Sequence, residues 1–144
     1  MEIRVQRLDP ALPLPRQQHE HDAGFDLHAR ERAVLEPAGG RALVPTGIAI
    51  AIPPGYAGFV LPRSGLGLKH GVTGLNAPGL IDSLYRGELK VLLVNTDPGV
   101  PYTVERGDRI AQLVVQRVEQ VDWVEVPELD ATSRDAYGFG STGS

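Results

Sequence analysis

The segment GLIDSLYRGEL, residues 79–89, brings a carboxylate, a phenol and a guanidinium close together in the sequence. A carboxylate such as Asp82, at the edge of an apolar run, can act as a general base. The ring of Tyr85 offers a flat face on which a sugar or a base can pack. The alternative is an ordinary hairpin, in which Asp82 is a turn residue, Tyr85 is half-buried and Arg86 pairs with Glu88. Taken alone, the segment fits the hairpin better.

The segment PRSGLGLKHG, residues 62–71, predicts a turn from a strand into a short helix. Ser64 is placed to be the N-cap residue and Gly71 the C′ residue. Free N–H groups at a helix start attract anions, and the neighbouring Arg63 strengthens that attraction. The segment is therefore a candidate anion site, and a capped turn with a surface arginine is the alternative.

Two polar residues interrupt apolar, strand-like runs. Asp26 lies in AGFDLHA and Gln112 in GDRIAQLVV. A buried aspartate is costly unless it is paired, so we expect Asp26 either to pair with an arginine or to lie near a metal or a catalytic water. Alternation places Gln112 and Ile110 on one side of a strand and Ala111 and Leu113 on the other. If buried, Gln112 needs a partner, which is either a ligand or neighbouring backbone.

The segment HEHD, residues 19–22, raises the possibility of a metal site. His19 and His21 would share one face of an extended segment. No third ligand follows at a suitable spacing, so the pattern favours a solvated loop over a zinc site.

These residues lie in a chain whose dominant hydrophobic period is two, which predicts strands. The 17 Gly and 12 Pro argue for many turns and against long helices. Several short strands at this spacing predict an all-β sandwich or barrel with one short helix. The predicted strands are EIRVQRL, GIAIAIP, YAGFVLP, ELKVLLV, AQLVVQRV and VDWVEV.

Composition narrows the class of protein. The 144 residues fit one domain, and the absence of cysteine excludes a disulfide scaffold, a thiolate nucleophile and a cysteine zinc site. The net charge of −4, without a Lys/Arg-rich stretch, argues against nucleic acid as a partner. No segment is apolar and long enough to span a membrane or to act as a signal peptide, so we expect a cytoplasmic protein.

The end of the chain differs from the rest. From about residue 131 the sequence ATSRDAYGFGSTGS is small, polar and rich in glycine, which predicts a disordered terminus. We therefore expect an all-β domain over residues 1–130 and a flexible arm over residues 131–144. Arg134, Tyr137 and Phe139 are unusual in a segment that is merely solvated.

Five segments, in their order and spacing, resemble the five motifs of homotrimeric dUTP pyrophosphatases (dUTPases). They are AGFDLHA, PRSGLGLKHG, NAPGLIDSLYRGEL, RGDRIAQL and RDAYGFGSTG, and they run from about residue 22 to 143. The resemblance implies a jelly-roll-like subunit in a threefold trimer whose sites are shared between subunits. It also implies Mg²⁺-dependent hydrolysis of dUTP to dUMP and pyrophosphate, which limits uracil incorporation into DNA and supplies dUMP for dTMP synthesis.

The resemblance gives the opening segment its roles. Asp82 is implied to be the general base that activates a water for attack on the α-phosphorus. Tyr85 is implied to lie under the deoxyribose and to leave no room for a 2′-hydroxyl. Asn76 is implied to read the uracil edge, and Gly79 to let the backbone approach the ligand closely.

The resemblance assigns further residues to the phosphates. Arg63, Ser64 and Gly65 match a phosphate-binding turn, Gln112 matches a phosphate-contacting residue, and Asp26 matches an aspartate near the catalytic water and the metal shell. Mg²⁺ is expected to be held mainly by the phosphates and waters, with no direct protein ligand.

The arm carries the last set of implied contacts. Arg134 would hold the γ-phosphate and Phe139 would stack over the uracil, while Gly140, Ser141 and Thr142 would add substrate contacts. The arm departs from the family at Asp135 and Tyr137, where glycine is common.

Two other functions are compatible with a β-sandwich of this kind. A dCTP deaminase shares the fold, but it carries a catalytic glutamate where this chain has Leu92, so its proton shuttle would be missing. A non-catalytic trimeric β-sandwich that binds nucleotides or a protein is the other rival. A pure binder does not need the base, so the joint presence of five residues argues against it: Asp82, Tyr85, Arg63, Gln112 and Phe139.

Overall fold

The computed structural model describes residues 1–132 and 136, and these residues form antiparallel β-sheets with one short helix. This confirms the predicted fold class. No helix in the described part of the chain is long and apolar enough to cross a membrane. The strands are β1 (Arg4–Arg7), β2 (Phe25–His28), β3 (Ala33–Leu35), β4 (Arg41–Ala51), β5 (Tyr56–Leu61), β6 (Val72–Gly74), β7 (Gly79–Ile81), β8 (Glu88–Asn95), β9 (Tyr102–Val104) and β10 (Arg109–Arg117), and helix α1 is Ser64–His70.

The strands form two four-stranded sheets and one two-stranded sheet. The four-stranded sheets have the orders β1-β4-β8-β6 and β2-β10-β5-β7, and β3 pairs with β9. Ile48, Ile50 and Ile52 recur at alternate positions of β4 and are all buried, as the period of two predicts. They pack in one cluster with residues of the other sheet, among them Leu27 on β2 and Leu113 on β10. The two sheets therefore enclose a shared core.

Helix α1 begins after β5 and differs from the prediction at its start. The N-cap residue is Arg63, so Ser64 is the first helical residue and not the cap as predicted. The C-terminal end follows the prediction, because Gly71 takes the left-handed conformation with φ 63°. The carbonyl of Gly71 accepts hydrogen bonds from the backbone N–H and the hydroxyl of Thr96, at 2.9 and 2.8 Å. These bonds fix the helix to the end of β8.

The run VDWVEV, residues 121–126, does not form the predicted strand. Residues 118–132 carry no strand or helix, and Trp123 is 93% exposed. An alternating pattern folds as a strand only where a neighbouring strand takes its backbone hydrogen bonds and a core covers its apolar face. Neither condition is met for this run within the described residues.

Candidate active site

Asp26 lies at the centre of a charged cluster on the outer face of the sheet β2-β10-β5-β7. It is 8% exposed and lies opposite Gln112 in the β2–β10 pairing. Arg109 Nη1 donates to Asp26 Oδ2 at 3.1 Å, and Arg63 Nε lies 3.5 Å from Asp26 Oδ1. Arg63 Nη1 also donates to the backbone carbonyl of Arg109 at 3.0 Å. We call Asp26, Arg63 and Arg109 the arginine cluster.

A buried carboxylate is costly unless it is paired, and this cost explains why arginines surround Asp26. The predicted pairing of Asp26 with an arginine is confirmed, and two arginines share that role. Because two guanidiniums face one carboxylate, the cluster keeps an excess of positive charge. Ser64 and Gly65, which follow Arg63, are exposed beside it. The arrangement is suited to binding an anion.

Gln112 adds an amide to the same face. Its Nε2 donates to the backbone carbonyl of Pro62 at 3.0 Å, so the partner that the sequence left open is backbone. Because Pro62 directly precedes Arg63, this bond ties β10 to the turn that carries the arginine. The pairing of β10 with β2 shifts register between Arg109 and Ala111. The simple alternation is interrupted there, and Ile110 is buried in the core together with Ala111.

His28 belongs to this region and was missed by the sequence reasoning. It lies on β2 two residues after Asp26 and is half-buried. Burial lowers its pKa below the ordinary value of 6.5; the Asp26 carboxylate opposes this shift, while Arg109, Arg16 and Arg63 add to it. The neutral form is therefore favoured. The sequence signal was the i, i+2 spacing, which puts His28 on the face of Asp26.

Asp82 stands in a turn directly after β7, and we call residues 82–87 the Asp82 turn. The N–H of Tyr85 donates to the Asp82 carbonyl at 3.1 Å and closes the turn. The Asp82 side chain is exposed, and no residue of the described part of the chain forms a hydrogen bond or ion pair with its carboxylate. Arg86 donates to the carbonyls of Ser83 and Tyr85, at 2.6 and 2.8 Å. The alternative pairing of Arg86 with Glu88 is wrong, because Glu88 pairs with Arg30 at 3.3 Å.

The ring of Tyr85 is held over Gly87. The Tyr85 hydroxyl donates to the backbone carbonyl of Glu88 at 3.0 Å, and the residue is 44% exposed. A Cβ at position 87 would lie 2.4 Å from the Tyr85 oxygen and 2.6 Å from Cζ. Only glycine leaves room for the ring in this position, so position 87 requires glycine for steric reasons.

Asn76 and Gly79 lie at the other end of β7. Gly79 pairs with Val60 on β5, and a Cβ at position 79 would lie 3.4 Å from Asn76 Nδ2. Asn76 is exposed and lines a narrow cleft together with Pro62 and Ile110. This end of β7 is thus near the end of β5 that leads into Arg63.

A single chain does not bring all of the predicted site residues together. Gly58 pairs with Ile81, so Asp82 lies beside the start of β5, whereas Arg63 follows its end. Asp26 is three strands away in the order β2-β10-β5-β7. Strand spacing and rise per residue put Asp82 roughly 20 Å from Asp26. Arg134, Phe139, Gly140, Ser141 and Thr142 lie outside the described residues.

No metal cage is evident in the described residues. Residues 1–132 and 136 contain no group of three or more histidine or acidic side chains arranged to hold an ion. In the HEHD segment, His21 and Glu20 approach to 3.7 Å with both side chains 90% exposed. Both carboxylate oxygens of Asp26 already face guanidinium groups.

Comparison with known proteins gives consistent matches over nearly the whole chain. A family model described as dUTPase matches residues 11–143. The deoxyuridine 5'-triphosphate nucleotidohydrolase of Thermobifida fusca is 60% identical over 141 residues, which cover 98% of this chain and 78% of the relative. The protein of the same name from Corynebacterium glutamicum is 57% identical over 141 residues, covering 98% of this chain and 94% of the relative.

Solved structures match as well. The dUTPase of Staphylococcus bacteriophage 80alpha, solved with the dUTP analogue dUPNHPP, superposes with a TM-score of 0.88 at 29% identity and covers 99% of both chains. A D95N mutant dUTPase from phage phi11 of S. aureus, described with a structural Mg(II) ion, gives a TM-score of 0.79 at 27% identity, covering 89% of this chain and 98% of that one.

Proposed function

The chain belongs to the dUTPase family, and we propose that its dUTP diphosphatase activity is carried by two half-sites that come from neighbouring copies of the chain. The reaction hydrolyses dUTP to dUMP and pyrophosphate, which limits uracil incorporation into DNA and supplies dUMP for dTMP synthesis. The observation that carries the proposal is the separation, within one chain, of the arginine cluster from the carboxylate of Asp82.

The first half-site would bind the triphosphate. The excess positive charge of the arginine cluster supports this role, because an incoming phosphate can neutralise it. Ser64 and Gly65 are exposed beside Arg63 and can offer a hydroxyl and backbone N–H groups to phosphate oxygens. Gln112, held against the carbonyl of Pro62, can contribute its amide at the same place.

The second half-site would bind the nucleoside along β7. Gly79 and Asp82 are three residues apart in the sequence, which corresponds to roughly 10 Å of strand, comparable with the length of a nucleoside. We propose that Asn76 hydrogen-bonds the uracil edge at one end. At the other end, the ring of Tyr85 would pack under the deoxyribose and leave no space for the 2′-hydroxyl of UTP.

A second copy of the chain would bring the general base close to the phosphate-binding groups. A general base must lie within hydrogen-bond reach of the water that attacks phosphorus, and that phosphorus must lie beside the phosphate-binding groups. A separation of roughly 20 Å between Asp82 and Asp26 is too large for one chain to meet both conditions. The proposed homotrimer would meet them by placing the Asp82 turn of one subunit against the arginine cluster of the next.

The chemistry would be water attack on the α-phosphorus with pyrophosphate as the leaving group. Asp82 would orient the water and accept its proton, and its carboxylate is exposed and has no hydrogen-bond or ion-pair partner among the described residues. Arg63, Ser64 and Gln112 would hold the phosphates in line and neutralise their charge. Positioning and charge neutralisation supply most of the catalysis in phosphoryl transfer.

Magnesium is proposed as the cofactor. Because both Asp26 oxygens face arginines, we propose an ion held mainly by substrate phosphates and waters. When bound, Mg²⁺ would neutralise phosphate charge. Asp26 would act near this shell by holding Arg63 and Arg109 in place.

The arm over residues 131–144 is proposed to complete the site above the domain of residues 1–130. Arg134 would contact the γ-phosphate and Phe139 would stack on the uracil. Gly140, Ser141 and Thr142 would add contacts to the substrate. We also propose that the enzyme acts in the cytoplasm, and a chain without cysteine fits such a reducing compartment.

The first test is pyrophosphate release from dUTP, UTP, dCTP and dTTP in the presence of Mg²⁺, for the wild-type protein and for Asp82→Asn. We expect turnover of dUTP alone and its loss in the variant, with dUTP binding retained. Binding of dUTP without turnover by the wild-type protein would instead support the non-catalytic rival. Ammonia release from dCTP would support the deaminase.

The second test asks whether the half-sites come from different copies. Asp82→Asn and Arg63→Gln chains are each expected to be inactive as uniform oligomers. When the two are mixed equally by joint refolding, random assembly gives about a quarter of the sites an intact residue from each copy. Activity near that fraction supports a shared site, whereas mixed oligomers without activity would contradict it. Oligomers that carry both substitutions in every chain are the control.

A further inference from the structure

Gly24 precedes β2 and faces Gln112 rather than the core. Gln112 belongs to the half-site that is proposed to bind the triphosphate, called the phosphate half-site below. A Cβ built at position 24 would lie 2.3 Å from Gln112 Oε1, 3.1 Å from its Cδ and 3.2 Å from its Cβ. All three of the nearest atoms belong to Gln112. Gly24 is not among the glycines with positive φ, so its backbone conformation does not by itself require glycine. The requirement is space for one side chain.

The opposite side of the same carboxamide is also fixed. Gln112 Nε2 donates to the carbonyl of Pro62 at 3.0 Å, so the group is held between the start of β2 and the end of β5. A methyl group at position 24 would push Oε1 away, and the amide would rotate out of line with Pro62. The displaced atoms are the far end of a flexible side chain, so the fold can absorb the change.

From this geometry we propose that Gly24 is a positioning residue, which keeps the Gln112 carboxamide where it meets the substrate phosphates. The inference rests on the proposed role of Gln112. It distinguishes Gly24 from Gly58, where a Cβ would meet the core side chains of Ile52 and Leu113 and where substitution should therefore cost stability. At position 24 we expect the loss to fall on substrate contact instead.

The test is a double-mutant cycle with Gly24→Ala, Gln112→Ala and the double variant, each measured for kcat/KM with dUTP and for thermal unfolding. Gly24→Ala alone should lower kcat/KM about 10- to 100-fold, because small misplacements of positioning groups cost rates of this size, with little change in Tm. In the Gln112→Ala background the two shortest contacts disappear, and Gly24→Ala should then have almost no effect. Gly99→Ala is the matched control, because a Cβ there meets nothing within 4 Å.

Two results would overturn the proposal: an unchanged kcat/KM in Gly24→Ala when Gln112→Ala lowers it, or an equal loss in both backgrounds. A readout without activity separates this proposal from the role of Gln112. In protein labelled with ¹⁵N at glutamine side chains, the Gln112 amide signals, identified by their loss in Gln112→Ala, should shift in Gly24→Ala. If they shift while Gln112→Ala keeps full activity, the positioning holds and the phosphate role of Gln112 fails. Unshifted signals would reject the positioning itself.

Discussion

The two proposed half-sites differ in how much of their geometry the chain fixes by itself. In the arginine cluster, Asp26 is 8% exposed and both of its oxygens face guanidinium groups. In the Asp82 turn, the carboxylate proposed as the general base is exposed and has no partner among the described residues. One region is held together by charge pairs, and the other leaves its proposed base without a partner in the described part of the chain.

The difference follows from the role proposed for each region, phosphate binding for the arginine cluster and proton abstraction for the Asp82 turn. Groups that stabilise phosphate charge work best when they are already oriented, because no reorganisation is then needed at the moment of reaction. A general base, in contrast, must keep its lone pairs free for a proton. The same residue type therefore pairs with arginines at position 26 and is proposed to act as a base at position 82. Substitutions at the two positions should separate stability from catalysis.

The largest expected effect is that of Asp82→Asn on turnover. Because the amide cannot accept the proton, kcat for dUTP should fall by about 10²–10⁴-fold. The thermal unfolding temperature should not change, since the side chain has no hydrogen bond or ion pair to lose within residues 1–132 and 136. Pyrophosphate release and calorimetry provide the two measurements. Asp122→Asn, at another exposed position, is the control, and undiminished turnover in Asp82→Asn would remove the base from the mechanism.

Asp26→Asn should lower the stability of the fold, which Asp82→Asn should leave unchanged. The substitution leaves Arg63 and Arg109 facing each other without a compensating charge. Breaking a buried pair costs about 3–5 kcal/mol, but the arginine side chains are 29% and 41% exposed. We therefore expect about 1–3 kcal/mol in the free energy of unfolding, measured by urea denaturation. A loss no larger than that of the exposed control Asp130→Asn would show that the cluster is not structural.

Gly87→Ala should affect substrate choice more than stability. The Cβ would collide with the ring of Tyr85, so the ring should move from the position proposed to exclude the 2′-hydroxyl. We expect the ratio of kcat/KM for dUTP to that for UTP to fall about tenfold. Tyr85→Phe, which keeps the ring, is the matched comparison and should retain more of the discrimination. An unchanged ratio would show that the ring position does not set sugar selectivity.

Features that depend on local sequence were predictable, namely which face of a strand is buried and which residue type a buried charge needs as a partner. The alternation of Ile48, Ile50 and Ile52 gave the buried face of β4, and the cost of burying Asp26 predicted an arginine partner. Which arginines would pair was not predictable, because Arg109 lies 83 residues away and meets Asp26 only through the β2–β10 pairing. Local patterns give residue faces, but the strand order decides which faces meet.

Two local predictions were wrong for the same kind of reason. The run VDWVEV alternates as a strand should, yet no strand pairs with it in the described part of the chain. Ser64 has the residue type of an N-cap, but Arg63, which is held by Asp26 and by the carbonyl of Arg109, takes that position. In both cases tertiary context decides over local propensity, through contacts that are present at Arg63 and lacking along VDWVEV in the described structure. Local patterns did not show the separation of the proposed half-sites either, because it depends on the order of strands; only the resemblance to the family implied a shared site.

The smallest expected effect concerns His28 and sharpens the picture of a positively charged phosphate half-site. Its pKa is lowered first by burial and then by Arg109, Arg16 and Arg63, against the opposing effect of Asp26. As pH falls below 6.5, the unfolded chain takes up a proton before the folded protein does. The free energy of unfolding should therefore decrease toward acid in that range and be unaffected by His28 above it.

His28→Gln removes the titrating group and should flatten this dependence of the free energy of unfolding on pH. Urea denaturation at pH values on both sides of 6.5 measures the slope for the wild-type protein and the variant. His19→Gln, in the exposed HEHD loop, is the matched control. If the slope were the same in wild type and His28→Gln, burial and the arginines together would not lower the pKa of His28 against the effect of Asp26. The contrast between a charged, pre-oriented half-site and an open one would then rest on the ion pairs of Asp26 alone.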